Sequence, residues 1–391
     1  MRKSKRLNLI PPYLFVKIEE KKEALTKKGM DIIDFGIGDP DLPTPPHIFK
    51  KMHEVLELPQ SANYPTSKGE FIFRKAVADW YKKRFKVELD PNSEVCALIG
   101  SKEGLGHIFL AFIDPGDVAF IPDPAYPVYR VGTILAGGEP YFLSLASENK
   151  FLPNLDSIPK KALKRAKLLV INYPNNPTAA VAEKDFFERC VDFARKNDLL
   201  LVSDLAYSEM GYDGYRPGSV LEIPGAKEVT IEFHSLSKTY NMTGWRIGMA
   251  VGNAQAVNVL ATIKSNIDSG VFKAIQYAAV EALTGPQECI EEHNRVFAER
   301  RDVLIEGLNS LGWQLEKTKA TFFVWVPVPK GKNSASFTEQ LLEKCGILAV
   351  PGNGYGPSGE GYVRFAITLP KERILEALGR MKKERIAFFP K

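Results

Sequence analysis

Lys238 lies in the run Phe233-His234-Ser235-Leu236-Ser237-Lys238-Thr239-Tyr240-Asn241-Met242-Thr243-Gly244-Trp245-Arg246-Ile247-Gly248, with serines at minus 1 and minus 3 and an arginine eight residues on. A lysine amine can form a Schiff base with an aldehyde, and pyridoxal 5'-phosphate (PLP) is the aldehyde cofactor most often held in this way. Its phosphate needs hydroxyl donors and a fixed positive charge, and an arginine fork answers a phosphate better than a second lysine does. Ser235, Ser237 and Arg246 supply that set around Lys238. A lone Ser-x-Ser-Lys would describe an ordinary polar loop. The pattern becomes specific through Gly244-Trp245-Arg246-Ile247-Gly248, which opens a strand expected over Trp245 to Val251.

Two further residues belong to the same chemistry. Leu199-Leu200-Leu201-Val202-Ser203-Asp204 reads as a parallel strand buried on both faces, ending in a carboxylate at the edge of an α/β sheet where ligands bind. Asp204 can pair with a pyridine nitrogen and keep it protonated, and Tyr207 can hydrogen-bond a phenolic oxygen. Arg364 points inward from the apolar strand Tyr362 to Thr368, which is costly unless an anion pairs with it. Upstream, the strand Val95 to Gly100 runs into a helix opened by Ser101, Lys102 and Glu103. The unpaired amides of a helix start suit a phosphate.

This set resembles the class I/II aminotransferases, the aspartate aminotransferase-like branch of fold-type I PLP enzymes. The resemblance runs in order from Tyr64 through Ser101, Tyr126, Asn176, Asp204, Tyr207, Lys238 and Arg246 to Arg364. It implies that Tyr126 stacks on the cofactor ring, Asn176 donates to its phenolic oxygen and Arg364 grips the substrate α-carboxylate. The loop containing Gly36 and Gly38 would lie over the substrate. Tyr64, in Tyr-Pro-x-x-x-Gly, would reach across a homodimer interface to the partner's phosphate, making the active sites shared. Ala179 stands where the family has glycine after Asn176-Pro177-Thr178, so a local backbone change is expected there.

Residues 35–45, 264–270 and 351–364 are most similar to the LL-diaminopimelate aminotransferase branch, which exchanges nitrogen with 2-oxoglutarate in lysine synthesis. That branch has an acidic residue in the Tyr64 to Gly69 loop, where this chain has Lys68, with Glu70 as a possible substitute. Aspartate, alanine and aromatic donors, and a PLP lyase on the same fold, therefore remain open.

The resemblance and the length of 391 residues imply an N-terminal arm (1–30) and a large α/β PLP-binding domain (31–290) with a mostly parallel seven-stranded sheet between helices. A smaller α+β domain (291–391), packing with the N-terminal segment, completes the chain. Expected helices are Phe15 to Lys28, Phe71 to Phe85, 254–264, 271–284, Gln287 to Leu311 and Lys371 to Phe388. Expected strands of the smaller domain are Thr321 to Val328, Ile347 to Val350 and Tyr362 to Thr368.

Composition bounds the alternatives. Net charge is +5, with lysines and arginines interleaved with acids, which gives no nucleic-acid footprint. The four cysteines are far apart, and with five scattered histidines they give no metal-ligand spacing, as reduced thiols of a cytoplasmic protein would. No apolar run approaches the roughly 18 residues of a membrane span. A PLP-sensing regulator would need an added DNA-binding domain, for which the residues before the first strand leave no room. A nicotinamide-dependent enzyme would carry Gly-x-Gly-x-x-Gly after a strand, which is not found.

Overall fold

The computed structural model describes residues 1–10, 20, 22–27 and 29–389. Half of the helix expected over Phe15 to Lys28 falls outside these residues; positions 20 and 22–26 are helical.

Seven strands form the central sheet: β1 (Val95–Leu98), β2 (Val118–Asp123), β3 (Glu139–Ser144), β4 (Ala166–Asn172), β5 (Leu200–Asp204), β6 (Thr230–Ser235) and β7 (Gly248–Gly252). Their spatial order is β1-β7-β6-β5-β4-β2-β3. Only β7 runs against the rest, pairing antiparallel with β6 and β1. Alternation along each strand assigns the two faces. Val95, Ala97, Met249 and Val251 face α1 (Phe71–Phe85) and α5 (Lys273–Thr284), whereas Cys96, Leu98 and Ala250 face α2 (Ser101–Phe112) and α4 (Ala254–Ile267). Strands in the middle are covered on both sides, so Leu168–Ile171 and Leu201–Val202 are continuously apolar. Edge strand β3 has one covered neighbour and keeps exposed polar positions.

Because β1, β2, β4, β5 and β6 are parallel, their carboxyl ends share one edge of the sheet. Asn172, Asp204 and Ser235 end β4, β5 and β6 there, and Ser101 begins α2 just after β1. The short helix α3 (Val128–Ala136) follows β2 at the same edge.

Helix α6 (Glu288–Ser310) leads to a C-terminal lobe whose three-stranded antiparallel sheet is β8 (Phe323–Pro327), β9 (Val350–Pro351) and β10 (Tyr362–Ala366), in the order β9-β10-β8. Helix α7 (Lys371–Lys383) packs on α6. The strand expected over Ile347 to Val350 serves two sheets: Ile347–Leu348 pairs in parallel with Ile33–Asp34, and β9 pairs with β10. Residues 33–37 therefore pack with this lobe and not with the large sheet. The Phe35 and Phe365 rings meet at 5.2 Å, and Phe35 O accepts from Ala366 N.

The strand expected from Trp245 starts instead at Gly248. Thr243–Trp245 form a 3-10 turn, and Arg246 takes the left-handed backbone conformation at φ 57°.

Candidate active site

The shared strand edge, the start of α2 and strands β8 and β10 enclose a cavity of about 270 Å³. Gly38, Ser101, Lys102, Tyr126, Asn176, Asp204, Tyr207, Ser235, Ser237, Lys238, Arg246 and Arg364 all line it. Residues separated by more than 300 positions in the chain thus meet in one space.

Lys238 Nζ donates to Gly38 O at 3.1 Å. Burial lowers its pKa to about 8, Arg246 and Arg364 act in the same direction and Asp39 opposes them. Near neutral pH a useful fraction of the amine is unprotonated, which a nucleophile and base requires. Gly38 permits the approach of its loop: a Cβ there would lie 2.7 Å from the Phe323 ring.

Asp204 is buried, and its Oδ2 accepts from the Tyr129 hydroxyl at 2.6 Å. Burial raises its carboxyl pKa to about 6, while the Tyr129 hydroxyl pulls it down. The other oxygen, Oδ1, is buried without a hydrogen-bond partner, a costly state unless a donor arrives. A protonated pyridine nitrogen is such a donor. Ser237 Oγ is likewise buried without a partner, and Ser235 Oγ accepts from Ser237 N at 3.2 Å. Arg246 Nη1 donates to Thr243 O at 2.8 Å, and its guanidinium lies against Gly100, where a Cβ would come within 2.2 Å of Nη2. Gly100 itself has φ 74°, so only glycine suits both the turn and the arginine. These residues fit PLP: an amine for its aldehyde, a carboxylate oxygen for its ring nitrogen, and hydroxyls with an arginine for its phosphate.

Arg364 is 2% exposed. Its Nη1 donates to Asn176 Oδ1 at 3.0 Å and its Nη2 to Gly36 O at 2.6 Å, both neutral acceptors, while the guanidinium packs over the Phe323 ring at 4.2 Å. Tyr207 is buried, its ring edge-on to Phe322 and Phe323, and burial pushes its hydroxyl pKa well up. Tyr126 lines the cavity, and Lys102 Nζ stands 5.7 Å from its ring.

Several expectations need correction. Glu103 does not face the cavity. Its carboxylate accepts from Ile99 N and pairs with His107 and Lys264, and its own N–H bonds Gly100 O, so it braces the start of α2. The grouping of Glu103, His107 and Asp268 resembles a metal site, but Lys264 is fully buried beside it and reaches Asp268 at 2.9 Å, supplying the positive charge. Ala179 itself adopts the left-handed conformation, φ 59°, with its N–H on Asn175 O, at a cost of about 1–2 kcal/mol. Lys68 Nζ donates to Asn92 O and Asn258 Oδ1, and Glu70 accepts from Thr66 N; neither lines the cavity of its own chain. The expectation for Tyr64, which places it at the partner subunit's site, needs no correction: it is absent from the cavity of its own chain and 86% exposed.

Two residues escaped sequence reasoning. Tyr129 holds Asp204, and Asn172 donates from Nδ2 to Asp204 O at 2.8 Å while its Oδ1 accepts from Asn176 N at 2.9 Å. The signal for Tyr129 was its spacing, one helical turn after Tyr126; for Asn172 it was its place at a strand end.

Known proteins are similar to this one along nearly the whole chain. The LL-diaminopimelate aminotransferase of Moorella thermoacetica is 57% identical over 383 residues, covering 98% of each chain. That of Syntrophobacter fumaroxidans is 56% identical, covering 97% of this chain and 98% of the relative. Substrate-bound BacF from Bacillus subtilis superposes with a TM-score of 0.96 at 34% identity, over 100% of this chain and 99% of that one. Residues 30–381, which include every residue that lines the cavity, match the family described as aminotransferase class I and II, and the chain belongs to that family.

Proposed function

We propose that this aminotransferase moves an amino group between LL-diaminopimelate and 2-oxoglutarate, serving lysine synthesis as a cytoplasmic homodimer with shared active sites. The names of the Moorella and Syntrophobacter relatives support the donor. The structural observation that carries the reading is a pair of cations, Arg364 and Lys102, on one cavity of about 270 Å³. LL-diaminopimelate and 2-oxoglutarate each have a carboxylate at both ends. Arg364 takes the carboxylate next to the reacting carbon, and Lys102 suits the far one.

PLP is the cofactor of this family, and when bound it supplies a ring that accepts electrons from the substrate Cα. Lys238 binds its aldehyde, and Asp204 Oδ1 keeps the proton on its ring nitrogen. Ser101, Ser235, Ser237 and Arg246 hold its phosphate, joined by the partner subunit's Tyr64. Tyr207 and Asn176 serve its phenolic oxygen, and Tyr126 covers its face. The Lys238 amine would be the group placed to take the proton from the substrate Cα, and the burial that lowers its pKa favours the unprotonated form a base needs. Among the described residues no helix is long and apolar enough to cross a membrane, in keeping with a soluble-substrate enzyme. The lobes act as a large cofactor unit and a smaller C-terminal unit, with residues 33–37 belonging to the latter.

The test is the visible absorption of PLP-loaded protein on adding LL-diaminopimelate, glutamate, aspartate or alanine. Conversion to the amine form of the cofactor by LL-diaminopimelate and by glutamate is expected. Conversion by aspartate or alanine, with none by LL-diaminopimelate, would reject the proposed donor.

A further inference from the structure

A second cavity, of about 610 Å³, shares no lining residue with the first. It forms where the end of α1, the loop 208–217 and the first turns of α6 meet. Four cations and three acids border it, but they do not cancel. Arg84 is engaged with Glu209 at 2.9 Å, both largely buried, and Asp213 with Arg301 at 2.8 Å. Lys83, Arg216 and Arg295 remain, and none makes an ion pair with another described residue. Glu291 stands against them and Glu209 also draws Arg216, so the lining as a whole keeps an excess of one positive charge (four cations less three acids).

The three cations come from three separate elements, α1, the loop and α6, and converge on one concavity. Such convergence of like charges is unfavourable, and a multivalent anion placed among them relieves it. Trp80, Tyr212, Leu283 and Ile290 add apolar wall for a carbon skeleton.

We propose that this cavity is a binding site for a small multivalent anion, carrying carboxylate or phosphate groups, separate from the amino-acid site. Its occupant pins the loop 208–217 to α6. That loop begins one residue after Tyr207, where Ser208 Oγ lies 3.0 Å from His234 Nδ1. Farther along, the loop holds the C-terminal lobe through Tyr212, which donates from its hydroxyl to Thr321 O at 2.7 Å and from its N–H to Lys319 O at 2.9 Å. The site therefore touches the segment that joins the cofactor pocket to the smaller lobe.

The experiment is calorimetric titration of PLP-loaded enzyme with citrate and, separately, pyrophosphate, at constant ionic strength because exposed charges are screened by salt. Four proteins are compared: wild type, the double variant Arg216→Gln/Arg295→Gln, Lys83→Gln and Arg364→Ala. At least one of the two anions is expected to bind wild type and Arg364→Ala alike, tenfold or more weakly to the double variant, and measurably more weakly to Lys83→Gln. The melting temperature should rise with that anion in the first two proteins and not in the double variant, by mass action on the folded state. Lys83→Gln tests a different wall, so misfolding of the double variant would not end the test. Citrate binding alone identifies a carboxylate site and pyrophosphate binding alone a phosphate site. Loss of binding in Arg364→Ala with retention in the cavity variants would place the anion in the amino-acid pocket and overturn the proposal, as would no binding of either anion at millimolar concentration.

Discussion

Replacing Tyr129 by phenylalanine removes one oxygen atom and should change the charge state of Asp204. The Tyr129 hydroxyl donates to Asp204 Oδ2 at 2.6 Å with both groups buried. A hydrogen bond to a charged acceptor contributes about 1.5–3 kcal/mol, and about 1.4 kcal/mol corresponds to one pKa unit. From its value of about 6 in the cofactor-free protein, the carboxyl is then expected to rise by roughly 1–2 units, to about 7–8. A protonated Asp204 cannot hold a positively charged ring nitrogen. At pH 7, PLP affinity of the variant should therefore fall about two- to tenfold and should recover by about pH 9. PLP titrations of cofactor-free wild type and variant from pH 5 to 9, followed by absorbance, test this, since ionisation of PLP itself is common to both. The sign for stability follows from the same shift. Asp204 is raised above its ordinary 3.8, so the stability that goes with its protonated form is present below that pH and is lost as pH rises through about 6. In Tyr129→Phe the loss should continue to about pH 7–8, seen as a melting temperature still falling where wild type has levelled. Identical pH midpoints in the two proteins would show that the hydroxyl does not govern Asp204.

Arg364→Lys keeps the charge but loses the fork that meets a carboxylate with two hydrogen bonds. A loss of about 2–3 kcal/mol, or roughly 30–150-fold in kcat/KM, is expected for every amino donor, and unchanged kcat/KM in steady-state assays would remove Arg364 from substrate binding. Mixing a Tyr64→Phe chain with a Lys238→Ala chain should restore roughly a quarter of wild-type activity, because random pairing makes about half of the dimers mixed and each mixed dimer has one intact site. If the mixture is no more active than the parents, Tyr64 does not act across a dimer interface. Lys68→Met should leave kcat/KM for LL-diaminopimelate and glutamate within about threefold, because the Lys68 amine is bound to Asn92 and Asn258 and not to the cavity. A larger change for one donor alone would make Lys68 a specificity residue after all.

What the sequence made legible was residue type at positions where chemistry and strand pattern agree. Asp204 and Arg364 could be found because each is a polar group at the end or in the interior of an apolar strand, where a structural role is expensive, and Lys238 because Ser235, Ser237 and Arg246 surround it in sequence. The seven-stranded sheet was legible for a related reason: strands covered on both faces are apolar throughout, and helical segments between them force parallel connections. Strand limits were less so. The start of β7 moved because Arg246 has a left-handed backbone that nothing in Gly244-Trp245-Arg246-Ile247-Gly248 requires. The spacing of Tyr129 from Tyr126 was a weak signal because a tyrosine on a helix is ordinarily packing, and only the position of Asp204 across the fold gives its hydroxyl a partner.

The direction of a side chain was the information that local sequence did not carry. Glu103 and Lys68 occupy positions in motifs where a neighbour faces the ligand, yet each is turned away by a partner far along the chain. Lys264, 161 residues on, draws the Glu103 carboxylate, and Asn258, 190 residues on, draws the Lys68 amine. Such contacts form only when α4 has packed beside the start of α2 and the loop before α1, so they are properties of the assembled sheet and its helices. It follows that a charge difference from relatives in this loop is weak evidence about substrate until the partner of that charge is known. Asn258→Ala should then have as small an effect as Lys68→Met, because it leaves the amine held by Asn92 O whereas Lys68→Met removes an amine that does not reach the cavity of its own chain.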